Sequence, residues 1–172
     1  GVSMKWREGA YREVYNNIWY KSRVAPCFHV GNNDNHDRYY NNITVMDSDE
    51  TKWPSGWPWW PQMMYSVIAP PGIGPWFEEI DRNCFYLNDG DFQAVVDQLR
   101  VEGGSRNPRR YNLSEWQTLG FDRNSIFADP LFVDPAHYDF RVREDSPALK
   151  VGFKNFKMGD WGLTSEFPAE LQ

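Results

Sequence analysis

The chain has 172 residues and a mass of 20.2 kDa, enough for a single domain with a core of its own. Its 18 Lys and Arg stand against 24 Asp and Glu, a formal charge of −6 and a pI near 5.0, which argues against a nucleic-acid backbone binder. No run approaches the roughly 20 apolar residues of a membrane span, and an aromatic share of 17% argues against disorder.

The N-terminus, Gly1-Val2-Ser3-Met4-Lys5-Trp6, shows no signal peptide and no initiator Met, so a mature, trimmed or partial chain is expected. The strongest feature that follows is a repeat. Val14-Tyr15-Asn16-Asn17-Ile18 recurs as Tyr39-Tyr40-Asn41-Asn42-Ile43 after 25 residues, and Ile80-Asp81-Arg82-Asn83-Cys84-Phe85 echoes it 41 further on. A short strand-like run every 20–30 residues is what stacked, mutually dependent repeats produce. Asn at one fixed place per repeat can donate to one neighbour and accept from the other. An ordinary antiparallel sandwich is the alternative that this pattern alone leaves open.

Between the first two copies lies the most polar stretch, Gly31-Asn32-Asn33-Asp34-Asn35-His36-Asp37, after Cys27-Phe28-His29-Val30. Two carboxylates and two imidazoles within nine residues (His29, Asp34, His36 and Asp37) are candidate acid/base groups, with Asp37 foremost. A solvated Asn-rich turn is the plainer reading. Calcium is a third, since Asn33, Asn35 and Asp37 alternate like oxygen ligands, although an EF-hand's Gly and Glu are missing. No common zinc spacing is present. Cys27 and Cys84 sit in apolar strand-like contexts and read as buried thiols, with a disulfide left open.

Residues 51–64 form a Trp/Pro-rich inserted loop, whose Trp53, Trp57, Trp59 and Trp60 offer either sugar-stacking platforms or packing across a flank. Glu78, Glu79 and Asp81 are further carboxylates ahead of the third copy. Asp91 is placed to cap a helix carrying Phe92, Val95, Val96 and Leu99, ended by Gly103-Gly104. Arg106–Arg110 reads as a basic, solvated turn. Asn112 with Glu115 predicts a capping box for a helix bearing Leu113, Trp116 and Leu119 and stopping at Gly120.

The closing stretch reads Ser125-Ile126-Phe127-Ala128-Asp129-Pro130-Leu131-Phe132-Val133-Asp134-Pro135, then Asp139-Phe140-Arg141-Val142, Ser146-Pro147-Ala148-Leu149-Lys150 and Gly152-Phe153. With the preceding Trp116-Gln117-Thr118-Leu119-Gly120, it resembles the end of secreted bacterial right-handed parallel β-helix proteins of the pectate-lyase-like superfamily. The likeness is close over residues 79–163 and looser over 11–46. Each Asp before a Pro is driven into an extended or turn geometry, so Asp129 and Asp134 read as structural. Leu131-Phe132-Val133 reads as cover for an exposed strand edge.

The resemblance implies an all-β solenoid in one domain. Right-handed parallel β-helix coils would occupy about 1–90, and a helical and extended C-terminal cap 91–172. Because such enzymes usually have more coils, it also implies the C-terminal part of a longer chain, completed by upstream coils or another subunit. The implied activity is on an extracellular or periplasmic polysaccharide or oligosaccharide. Glycoside hydrolysis by Asp37 and a second carboxylate comes first, with Arg38 and the Trp loop binding substrate and no cofactor required. The alternatives are a polysaccharide lyase using Ca²⁺ with Arg38, Lys52 or Arg82, and a glycan-binding or structural β-helix cap without catalysis.

Overall fold

The computed structural model describes residues 3–7, 9–22, 26–30, 34–47, 63–68, 76–98 and 107–157. Their strands are short and fall mainly into three parallel sheets that the chain visits in turn. The first sheet has the order β1 (Lys5–Trp6), β4 (Cys27–His29), β7 (Tyr65–Ile68), β10 (Ala94–Gln98) and β11 (Asn107–Tyr111). The second runs β2 (Glu13–Tyr15), β5 (Arg38–Tyr40), β8 (Glu79–Asp81). The third runs β3 (Ile18–Ser22), β6 (Ile43–Met46), β9 (Cys84–Tyr86), β12 (Ile126–Phe127). Every pairing in these sheets is parallel except β10 with β11. The protein is therefore mostly β, and no described helix is long and apolar enough to cross a membrane.

The register follows the repeat found in the sequence. Tyr15 aligns with Tyr40 and Asp81, and Ile18 with Ile43, Cys84 and Ile126. Between second- and third-sheet strands the chain turns through one left-handed residue, Asn16 (φ 56°), Asn41 (φ 54°) and Arg82 (φ 55°). Asn tolerates that region better than most side chains; Arg82 is steadied by its Nε–H donating to Asn41 Oδ1 at 3.2 Å. The next residue builds the asparagine ladder. Asn17 N–H donates to Asn42 Oδ1 (3.0 Å), Asn42 N–H to Asn83 Oδ1 (2.9 Å), and Asn83 N–H to Ser125 Oγ (2.7 Å). Backbone groups that the turns would leave buried without partners are thereby satisfied.

Alternating residues of the three sheets face one core, where Trp6, Phe28, Tyr39, Tyr65, Val67 and Phe85 are buried together. Edge-to-face contacts dominate, with Phe28–Tyr39 centroids 5.6 Å apart and Tyr65–Phe85 5.3 Å. Tyr39 Oη accepts from Trp19 Nε1 at 2.8 Å. Helix α1 (Leu113–Thr118) starts with the expected capping box between Asn112 and Glu115 and buries Trp116 against Tyr65 and Phe121.

Three expectations need correction. Residues 94–98, inside the proposed helix from Asp91, form β10, because Ala94–Asp97 pair in register with Tyr65–Ile68. The described part of the basic turn, Asn107–Arg110, lies in β11, an antiparallel partner of β10. Residues after 91 thus complete the sheets as well as follow them. Likewise, the closing stretch covers a sheet face more than a strand edge. β13 (Phe132–Asp134) and β14 (Asp139–Val142) pair antiparallel, and α2 (Pro147–Lys150) follows. Phe132, Val142, Ala148 and Phe153 pack in a second cluster with Ile18, Ile43, Val45 and Cys84 on the outward side of the third sheet. The stretch is tied to the first repeat by Lys154 N–H donating to Asn16 Oδ1 (2.7 Å) and Asn16 Nδ2 donating to Lys154 O (2.9 Å).

Candidate functional site

The segment entering β5 places the polar candidates in different settings. Asn35 is buried, accepts from Asp37 N–H at 3.0 Å and donates to Trp76 O at 2.8 Å. This Asn turn swings Asp37 inward. Asp37 is fully buried, and both carboxylate oxygens are engaged by Arg12. Oδ1 receives the Arg12 backbone N–H and Nε–H, each at 3.0 Å, and Oδ2 receives Nη2 at 2.5 Å. The guanidinium in turn lies 4.6 Å over the Trp6 ring. Both oxygens of the leading sequence candidate thus serve an ion pair that joins two repeats, turned away from solvent. Asn35 and Asp37 oxygens accept from protein donors, which does not favour the calcium reading. Among the described residues no cluster of three or more His, Cys, Asp or Glu is placed to hold a metal.

Its neighbours face out. His36 takes a left-handed backbone conformation (φ 53°), so its side chain leaves on the opposite side from Asp37. Its Nδ1 lies 3.1 Å from Glu78 Oε2 and its Nε2 3.6 Å from Asp34 Oδ1. The ring stacks on Tyr11, with centroids 4.8 Å apart and planes 15° apart. Asp34, His36 and Glu78 are therefore brought together on the surface, whereas His29 lies in β4 of the first sheet. Trp53, Trp57, Trp59 and Trp60 fall outside the described residues, as do Gly31, Asn32, Asn33 and Lys52.

Beside this group, the outward face of β2, β5 and β8 carries two cross-strand rows. One row is Glu13, Arg38, Glu79. Arg38 donates to Glu13 Oε1 at 2.8 Å and to Glu79 Oε2 at 2.6 and 3.0 Å, an alternation of charge in which one cation bridges two carboxylates. The other row is Tyr15, Tyr40, Asp81. The Tyr15 and Tyr40 rings are parallel within 5°, with centroids 5.2 Å apart, and Arg38 and Arg82 lie over the Tyr40 ring. Tyr40 Oη donates to Glu13 Oε1 at 2.6 Å, and this bond to a carboxylate pushes the phenol pKa up to about 12. Tyr11 and Tyr15 are 78% and 53% exposed, which sets them apart from the buried tyrosines of the core.

Chemically, the face offers apolar ring surfaces flanked by fixed acceptors and cations, with a hydrogen-bonded His36–Glu78 pair at one margin. Sequence reasoning singled out Arg38, Glu78, Glu79 and Asp81 but missed Arg12, Glu13, Tyr11, Tyr15 and Tyr40 as a set. The signal was present: Arg12–Asp37, Glu13–Arg38 and Tyr15–Tyr40 each repeat the 25-residue offset of the asparagines. Compared with known proteins, the chain matches no family model, no curated protein and no solved structure.

Proposed function

We propose that this chain is a right-handed parallel β-helix of the carbohydrate-active, pectate-lyase-like kind, the C-terminal part of a longer helix exported to the cell exterior or periplasm. Its three parallel sheets visited in turn, the asparagine ladder and the closing stretch support that reading. Its substrate is a polysaccharide, held on the outward face of β2, β5 and β8. The observation that carries this is the pairing of exposed, parallel aromatic rings with fixed carboxylates on one strip. Rings give large contact area to the apolar faces of sugars at low entropic cost, and carboxylates accept from hydroxyls.

The chemistry proposed is glycoside hydrolysis. Asp37 is a poor acid/base group while Arg12 holds both its oxygens, so the role passes to Glu78 and Asp34, which reach the two nitrogens of His36. Those contacts put their carboxylate oxygens no more than about 9 Å apart, below the upper limit of roughly 9.5 Å for paired-carboxylate hydrolysis. Movement of the half-exposed His36 ring would open the gap to a glycosidic bond.

The test is incubation of the chain with a polysaccharide panel, following reducing ends. Glu78→Gln and Asp34→Asn should abolish release of reducing ends, and Asp37→Asn should act mainly through stability. Ultraviolet absorbance from an unsaturated product would instead identify a lyase. Binding on a glycan array without turnover, lost in Tyr15→Ala, would identify a binding module. Absence of both turnover and binding would refute the proposal.

A further inference from the structure

A cleft of about 700 Å³ opens between the outward side of the third sheet and the stretch following Ala128. Its floor carries Tyr20 and Tyr86, aligned across β3, β6 and β9 with Val45 between them. Two strand spacings separate the rings, a span of about 10 Å. Tyr20 is held by Phe132 and Phe140, at centroid distances of 5.7 and 4.8 Å, and Tyr86 Oη donates to Asn88 Oδ1 at 3.3 Å. Both floor rings are thus anchored before any ligand arrives.

Among the described residues that line the cleft, the charges balance. Lys21 and Arg143 supply two cations, Asp47 and Asp129 two carboxylates. Such a lining carries no excess of either sign to favour an ion, yet it is dense in groups that bond hydroxyls. Backbone strain sits on both walls. Lys21 is the extra residue of a bulge, since Tyr20 pairs with Val45 and Ser22 with Met46. Its φ of 48° brings Nζ to 5.5 Å from the Tyr20 ring centroid. Opposite, Leu131 has φ 55°, a costly conformation for leucine. It is held by its N–H donating to Asp129 Oδ1 (2.9 Å) and its carbonyl accepting from Arg143 N–H (3.0 Å). Bulges and strained residues of this kind re-aim side chains beside binding sites.

We infer that this cleft is a binding site for a neutral oligosaccharide, its sugar rings lying on Tyr20 and Tyr86 and its hydroxyls meeting the balanced charges. The site is separate from the face of β2, β5 and β8 and does not depend on catalysis there.

Isothermal titration of the full chain with cellohexaose, mannohexaose and xylohexaose tests this, with hexagalacturonate as the charged control. At least one neutral probe should bind. Val133→Trp, at a half-exposed wall position, should fill the cleft and weaken binding about tenfold or more. Lys21→Ala should weaken it less, and in a Tyr40→Ala background, which disables the other face, cleft binding should persist and still be weakened by Val133→Trp. The circular dichroism of Val133→Trp should match the parent. Binding by no neutral probe, by hexagalacturonate alone, or unaltered by Val133→Trp would overturn the inference. Loss through Tyr40→Ala alone would assign binding to the other face and also overturn it.

Discussion

Replacing Asn83 by Ala tests the asparagine ladder at its most connected point. Asn83 Oδ1 accepts from Asn42 N–H at 2.9 Å, and its Nδ2 donates to Asp122 Oδ1 at 3.0 Å. Asn42, Asn83 and Asp122 are all fully buried, so water does not freely replace either bond. Truncation leaves the Asn42 N–H unsatisfied, at about 1–3 kcal/mol, and removes one donor from a buried carboxylate, at about 1.5–3 kcal/mol. Asp122 keeps Ser125 Oγ and Trp116 Nε1 as donors, so the expected total is about 3–5 kcal/mol. Asn17→Ala is the internal control. It removes a side-chain bond to Asn42 Oδ1 at a partly buried position and leaves the Asn17 backbone donor in place, costing about 0.5–1.5 kcal/mol. Urea unfolding near neutral pH, followed by tryptophan fluorescence and far-ultraviolet circular dichroism, measures both. A loss below about 1 kcal/mol for Asn83→Ala with an unchanged denaturant slope, or equal losses for the two variants, would refute the ladder as a source of stability.

Arg12→Met removes the side-chain partner of buried Asp37 and should cost about 3 kcal/mol, the lower end for a broken buried pair because Arg12 is partly exposed; a thermal midpoint that barely moves would contradict this. Burial raises the Asp122 pKa from 3.8 to about 6, despite donors from Asn83, Ser125 and Trp116 that pull the other way. The native state therefore holds this proton more tightly than the unfolded chain, and the group's contribution is fully present below 3.8 and fades as the pH rises through about 6. Urea midpoints from about pH 4 to 7 should show the parent losing stability relative to Asp122→Asn as pH rises, and a difference that is flat or opposite in sign would disprove it. Desolvation raises the thiol pKa of Cys27 and pushes Cys84 up to about 12, so both should resist a thiol reagent at mildly alkaline pH until urea unfolds the chain. Rapid labelling of either in the native protein would show that it is accessible.

Much of the architecture was legible from local sequence. The Asn-Asn-Ile recurrence gave the register of two sheets, because residues at the same turn in successive repeats must stack. The capping box at Asn112 was readable because its bonds span three residues. The stretch from Asp91 was misread because Phe92, Val95, Val96 and Leu99 do match a helical face. A neighbouring strand with open backbone groups outweighed that spacing, and only the fold supplies such a neighbour. The same holds for Asn107–Tyr111, whose pairing partner is β10.

For the sites, composition and order marked the region around residues 34–38, since short polar residues crowd together there. They did not reveal that Asp37 turns in to Arg12 while His36 turns out to Glu78, a division made by one left-handed residue and one Asn turn. Nor could they reveal the cleft beside Tyr20 and Tyr86, whose lining is gathered from segments as far apart in the chain as Tyr20 and Arg143. Periodicity belongs to covalent order and can be counted. Which side of a strand meets solvent, which carboxylate meets a cation and which surfaces enclose a cavity depend on contacts between distant segments, so they exist only once the repeats have stacked.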